Sequence, residues 1–363
     1  MIFENNKKAS LVLADGTVFE GRSFGAEGKV IGEVVFNTSV VGYQETLTDP
    51  AYCGQLIVQT FPLIGNYGVN SEDDASEYHA AGYIVREYCE EPSNFRCEGR
   101  LEDYLVKYGT VGICDIDTRA LTRVLRENGV MNGAIVCGDY DKDALLAEIK
   151  AFAPAKLIDK VGGKEKKSFA AEGGKYNVAV IDYGMTKALV SGFNACGCNV
   201  TVMPFNASAE QVLAEKPDGI VLAGGAGDPA QCATEIEVIK ELLKSGVPVY
   251  GINFGHLLLA LANGVKIEKL KYGHRGANTP VKDTECAKVF IASQNHGYAV
   301  AADGIPAGVA EITHVIGGDN TVQGVKYLNA PAFGTQFQPE ISGNPHDTGY
   351  LYDRFIKMME DRK

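Results

Sequence analysis

Apolar and polar positions alternate in two different ways along this chain, and the change falls near its middle. In the first half, short apolar runs are broken by turns. Residues 10–13 and 17–20 flank Ala14-Asp15-Gly16, a pattern that predicts a β-hairpin. Over 117–129 the period lengthens to that of a helix: Leu121, Val124 and Leu125 fall on one face, and Gly129 is placed to cap the C-terminus. Residues 154–175 turn polar and glycine-bearing around Gly162-Gly163-Lys164-Glu165-Lys166-Lys167, which predicts a linker. The expected organisation is a mixed β/α domain over 1–153, the linker, and a second domain over 176–363.

The second half alternates regularly. Strand-like runs at 178–182, 200–203, 219–223 and 247–252 are separated by helical patterns at 186–193, 209–214 and 235–243. Such alternation predicts an α/β domain with a mostly parallel sheet flanked by helices. In sheets of this kind, ligands bind beyond the carboxyl ends of the strands. The turn Gly224-Gly225-Ala226-Gly227 and the residues after Ile252 both lie at such ends, so they should converge on one pocket. No phosphate loop of the form Gly-x-x-x-x-Gly-Lys-Ser/Thr occurs, and Asp228 makes the 224–227 turn a poor neighbour for phosphate.

The strand ending at Ile252 runs through Asn253-Phe254-Gly255-His256 into an apolar helix that stops at Asn263-Gly264. This is the form of a nucleophile elbow, in which a tight turn lifts one side chain above the sheet. The lifted side chain is Asn253, an amide with no thiol or hydroxyl to activate. Asparagine tolerates positive φ better than most residues, so the turn can survive without its chemistry.

Composition narrows the rest. The 363 residues suffice for two cores, and 45% hydrophobic with 22% charged residues is ordinary for a globular protein. A net charge of −12 argues against a nucleic-acid partner. Nine cysteines at irregular spacing form neither a disulfide framework nor a metal site, since Cys196-Gly197-Cys198 is too tight for a zinc pair. The start lacks the apolar stretch of a signal peptide, and no run reaches the length of a membrane span. The expectation is a reduced, cytoplasmic protein with no metal and no membrane contact.

The stretch Gly251-Ile252-Asn253-Phe254-Gly255-His256 resembles the Gly-Ile-Cys-Leu-Gly-His-Gln elbow of class I glutamine amidotransferases. From about residue 10 to about 355 the chain is similar to the small subunits of carbamoyl-phosphate synthetases. The similarity runs through Val35-Phe36-Asn37-Thr38-Ser39, Gly42-Tyr43-Gln44-Glu45, Leu47-Thr48-Asp49-Pro50 and Glu91-Pro92-Ser93-Asn94. It continues through Asp115-Ile116-Asp117-Thr118-Arg119, Gly227-Asp228-Pro229, Gly276-Ala277-Asn278, Ser293-Gln294-Asn295-His296-Gly297 and Pro345-His346-Asp347-Thr348.

The resemblance implies a cysteine nucleophile, a histidine base and a carboxylate that orients it. Here the cysteine position is Asn253, the histidine position in Gln336-Phe337-Gln338-Pro339-Glu340 is Gln338, and the carboxylate Glu340 remains. Glutamine has no titratable nitrogen and cannot act as a base. The implied glutamine pocket comprises Ala51, Gly225, Gly227, Phe254, Leu257, Asn295, Gly297 and Tyr298. Ala51 stands for a substrate-contacting serine, Leu257 for a substrate-contacting glutamine, and Ala226 for a proline. Changes at several separated positions of one pocket point to altered selection on that pocket, so glutaminase activity is expected to be absent. The resemblance also implies a large-subunit partner that alone carries the ATP and divalent metal, with no cofactor in this chain. The expected function is a non-hydrolysing small subunit of an ammonia-using carbamoyl-phosphate synthetase, serving arginine and pyrimidine synthesis. Two other readings stay open: a working amidotransferase with another nucleophile such as Cys232, or a regulatory, small-molecule-binding paralogue. His79, His256, His274, His296, His314 and His346 match no base position.

Overall fold

The structure is a computed structural model, and it describes residues 7–341 and 347–362. Pro345 and His346 of the quoted motifs lie outside the described residues. The chain divides into two compact units, Met1–Ala155 and Lys156–Lys363.

The first unit is built on a closed barrel. Its strands run in the order Lys8–Leu13, Val18–Gly25, Val111–Cys114, Gly82–Ile84, Gln55–Gln59, Lys29–Asn37 and Met131–Cys137. The predicted hairpin is present, with Leu11 opposite Phe19 and Val12 opposite Val18. Asp15 accepts the Thr17 amide at 2.8 Å and Gly16 takes φ 89°, which closes its turn. The helix Thr118–Asn128 starts where Asp117 accepts the Ala120 amide at 2.9 Å and stops at Gly129. It buries Leu121 and Leu125, whereas Val124 is only half-buried.

The second unit is a ten-stranded sheet. The central five strands, Cys198–Pro204, Tyr176–Asp182, Gly219–Leu222, Val249–Ile252 and Ala332–Thr335, are parallel. Val322–Tyr327, Ala310–Ile316, Ile267–Asp283 and Val289–Val300 extend the sheet on one side, each antiparallel to its neighbour. Parallelism therefore belongs to the centre of the sheet. Successive residues of the central strands feed opposite faces. Ala179, Ile181, Ile220 and Leu222 enter one core, while Val178, Val180, Val221 and Tyr250 enter the other. Burial on both faces is why these strands read as continuous apolar runs.

Residues 154–175, read from composition as a linker, carry structure of their own. They hold a helical turn, Ile158–Val161, and a strand, Lys167–Phe169, that pairs antiparallel with Val200–Val202 at the sheet edge. Ile158 is fully buried in the core of the second unit. Among the described residues no helix is long and apolar enough to cross a membrane.

Glycines set how closely the helix Phe254–Ala262 lies on the sheet. A Cβ on Gly255 would stand 2.2 Å from the Leu222 carbonyl oxygen and 2.7 Å from that of Ala223. These are backbone atoms at the end of the neighbouring strand, which cannot swing aside as a side chain can. Gly255→Ala is expected to cost at least about 1–3 kcal/mol, the usual scale of overpacking. A lowered melting midpoint checks this, and an unchanged midpoint would show that the helix can shift.

Candidate functional site

The strand Val249–Ile252 ends at Asn253, which has φ 51° and ψ −109°. This is an uncommon region for a residue with a side chain, and it is the strained geometry of an elbow. Three backbone hydrogen bonds hold it. The Asn253 amide donates to the Thr335 carbonyl at 2.8 Å, and the Gly255 amide to that of Ala223 at 3.1 Å. The Leu257 amide donates to the Asn253 carbonyl at 3.3 Å, the first bond of the helix.

The side chain of Asn253 is only 3% exposed, and both ends of its amide are engaged. Its Nδ2 donates to the backbone carbonyl of Asn295 at 3.2 Å, and its Oδ1 accepts from Nε2 of Gln336 at 3.2 Å. The elbow is thereby tied to the strand Val289–Val300 and to the segment after Ala332–Thr335. Gln336 was missed in the sequence. The available signal was its place two residues before Gln338, in the same short motif.

The glycine turn meets the elbow as its position predicts. A Cβ on Gly225 would lie 2.9 Å from the Phe254 ring and 2.7 Å from the Tyr183 carbonyl oxygen, so only glycine fits. One on Gly224 would lie 3.9 Å from Nε2 of Gln338. Gly227 takes φ 99°. Gln338 is buried and joins Ser293 in an antiparallel bridge, its amide donating to the Ser293 carbonyl at 3.4 Å. Glu340 lies in the short turn Pro339–Ile341 and accepts the Thr186 hydroxyl at 3.3 Å.

The remaining positions are less concentrated. Leu257 and Phe254 are both buried in the apolar core. Gly297 packs at Arg275, and half-buried Tyr298 has the Lys269 ammonium 5.9 Å from its ring centroid. Ala51 belongs to the first unit, in the turn Pro50–Tyr52, where its amide donates to Asp49 at 2.9 Å.

The other candidates for chemistry are poorly placed. Cys232 is 1% exposed, and burial together with Glu235 pushes its thiol up to about 12. A thiol held protonated is a poor nucleophile. His256, at the first turn of the elbow helix, is fully buried, and burial pulls its imidazole down to about 3. Neither of its ring nitrogens meets a hydrogen-bond partner among the described residues. His296 lies between Gln294 and the Tyr298 carbonyl, and burial lowers it well below its ordinary value. His314 is bonded by Thr313 and Tyr350 and is lowered to about 4, chiefly by burial. His274 pairs with Asp319 at 2.9 Å. Burial also lowers His79. Among the described residues no group of three or more His, Cys, Asp or Glu is placed to hold a metal ion.

Comparison with known proteins adds to this geometry. Residues 11–135 match the family described as carbamoyl-phosphate synthase small chain, CPSase domain. Residues 179–358 match glutamine amidotransferase class-I. The chain is 46% identical to the carbamoyl phosphate synthase small chain of Clostridium perfringens, covering 96% of this chain and 99% of that one. It is 45% identical to the small chain of Fusobacterium nucleatum, covering 97% and 98% of the two chains. For that of Bacillus caldolyticus the identity is 43%, with 98% and 97% covered.

Two outcomes follow from the site's packing. Asn253→Ala removes the acceptor of the buried Gln336 side-chain amide and one donor to the Asn295 carbonyl, and the orphaned Gln336 donor should cost roughly 1–3 kcal/mol. A melting midpoint equal to that of the parent would contradict the clasp. Acid should also destabilise the fold early. His256 is neutral when folded down to about pH 3 but takes up a proton near 6.5 when unfolded. The unfolded chain therefore binds more protons across that window, and stability falls as pH drops from 6.5. Urea midpoints at neutral pH and at about pH 5 test the sign.

Proposed function

The chain belongs to the carbamoyl-phosphate synthase small chain family, and from that premise we propose a subunit that pairs with a large chain but does not hydrolyse glutamine. The complex then makes carbamoyl phosphate from free ammonia. In this reading the nucleotide and divalent-metal chemistry belongs to the large chain, and this chain acts as scaffold and activator.

The observation that carries the reading is the state of Asn253. It occupies the elbow position, has no thiol, and has both ends of its amide engaged by Gln336 and Asn295. Glutamine hydrolysis in a cysteine amidotransferase begins with thiolate attack on the carboxamide carbon. The carbonyl oxygen becomes an oxyanion, and a base passes its proton to the leaving ammonia. Backbone amides of the 224–227 turn could still face an oxyanion, but nothing forms one. Gln338 cannot carry the proton, and Glu340 has no imidazole to orient. Leu257, where a polar substrate contact is expected, lies in the apolar core, so an amide ligand would lose a partner there.

Purified chain supplied with glutamine should release no ammonia above the blank. Loss of the nucleophile alone costs about 10⁶ in turnover in a comparable triad hydrolase. Asn253→Cys alone should stay silent. Asn253→Cys with Gln338→His should give a first measurable, weak release, because nucleophile and base act as one unit. Glutamine-dependent ammonia release by the parent chain, abolished by thiol alkylation, would overturn the proposal.

A further inference from the structure

The elbow helix covers a group of polar atoms that the chemistry described above does not use. His256, Gln323 and Gln336 are each fully buried, at 0% exposure. Both ring nitrogens of His256, both amide atoms of Gln323 and Oε1 of Gln336 meet no hydrogen-bond partner among the described residues. Buried polar groups in folded proteins are nearly always hydrogen-bonded, so a group of orphaned atoms in one place calls for a partner.

Strand register brings the three side chains together. A Cβ on Gly251 would meet the His256 backbone at 2.9 Å, so His256 stands over the strand Val249–Ile252. A Cβ on Gly334, the parallel partner of Gly251, would lie 2.4 Å from Nδ1 of His256. The imidazole therefore crosses the neighbouring strand toward Val322–Tyr327. There Val325 is the partner of Gly334, and the backbone amide of Gln336 donates to the Gln323 carbonyl at 2.8 Å. Positions two apart on a strand share a face, and cross-strand partners share it too. Gly334, Gln336, Val325 and Gln323 thus all turn toward the helix, in keeping with the bond from Gln336 to Asn253. The surroundings are apolar: Leu258, Leu259, Ala260 and Val325 belong to one core.

The chemistry of the orphaned atoms selects the occupant. The Gln323 amide donates and accepts, Oε1 of Gln336 only accepts, and a neutral imidazole donates from one nitrogen and accepts at the other. His256 is neutral, since burial pulls it down to about 3. A cation would leave the donors unpaired and an anion the acceptors, and either charge is costly among apolar walls. Water both donates and accepts, and a buried water makes roughly three hydrogen bonds. We propose that this space is a binding site for about two internal water molecules, which bridge Oε1 of Gln336, the Gln323 amide and the His256 ring. By holding Oε1 they set the orientation of the Gln336 amide whose Nε2 clasps Asn253.

A high-resolution crystal structure of the full chain locates such waters, and oxygen-17 relaxation dispersion counts the long-lived ones in solution. The parent chain should show ordered water within hydrogen-bond reach of Gln323, Gln336 and His256. Gln323→Met keeps the length of the side chain and removes its polar atoms. With its folding confirmed by a melting curve, this variant should hold fewer long-lived waters than the parent, and its Gln336 side-chain amide protons should exchange faster with solvent. A parent structure in which Gln323 bonds directly to His256 or Gln336, with no density between them, overturns the proposal, and this readout needs no variant. So does a water count that folded Gln323→Met leaves unchanged. Unchanged exchange at Gln336 overturns the link to Asn253.

Discussion

The second unit depends on one turn. The chain must leave the strand Val249–Ile252 and enter the helix Phe254–Ala262 within a single residue, and Asn253 does so at φ 51°. The helix then lies against the sheet so closely that Gly255 has room for no side chain beside the Leu222 and Ala223 carbonyls. A Cβ on Gly251 would likewise meet the backbone of His256 at 2.9 Å. Strain at one backbone position persists only where its surroundings over-determine it. Here the surroundings are the hydrogen bonds to Thr335 and Ala223, the two glycines, and the amide clasp to Gln336 and Asn295.

That clasp separates scaffold from chemistry. An elbow is costly to keep, yet the same turn that would present a nucleophile also anchors the apolar helix that covers one core. At the position where the resemblance implies a thiol, the Asn253 amide holds the turn and makes two buried hydrogen bonds. The proposed loss of hydrolysis therefore need not loosen the fold. The neighbouring positions follow the same direction: Leu257 joins the apolar core, and Gln338 is held in a strand bridge.

Much of this was legible in the sequence, and the gaps have physical causes. Four of the five central parallel strands and the helices between them were readable because both faces of each strand are buried, which writes an unbroken apolar run; the fifth, Ala332–Thr335, was not among them. The antiparallel extension was not, since Ile267–Asp283 mixes exposed and buried positions without a clear period. The barrel was hidden for another reason: it pairs distant segments, Val18–Gly25 with Val111–Cys114, through strands as short as Gly82–Ile84. The strand Lys167–Phe169 is exposed along its length, so its composition looks like a linker. At the site, Asn253 and Gln338 stand out as departures from the family motif, and Glu340 as the carboxylate it retains. Gln336 was not, because it matches that motif: its place two residues before Gln338 is the one hint, and its role shows in the hydrogen bond to Asn253.

The central claim is that the family's first reaction is absent while the partnership remains. The most direct measurement is carbamoyl phosphate formation by this chain assembled with its large chain, supplied with ATP and bicarbonate and either ammonia or glutamine. The account predicts turnover with ammonia, faster than that of the large chain alone, and none above background with glutamine. Comparable rates from glutamine and ammonia would contradict it.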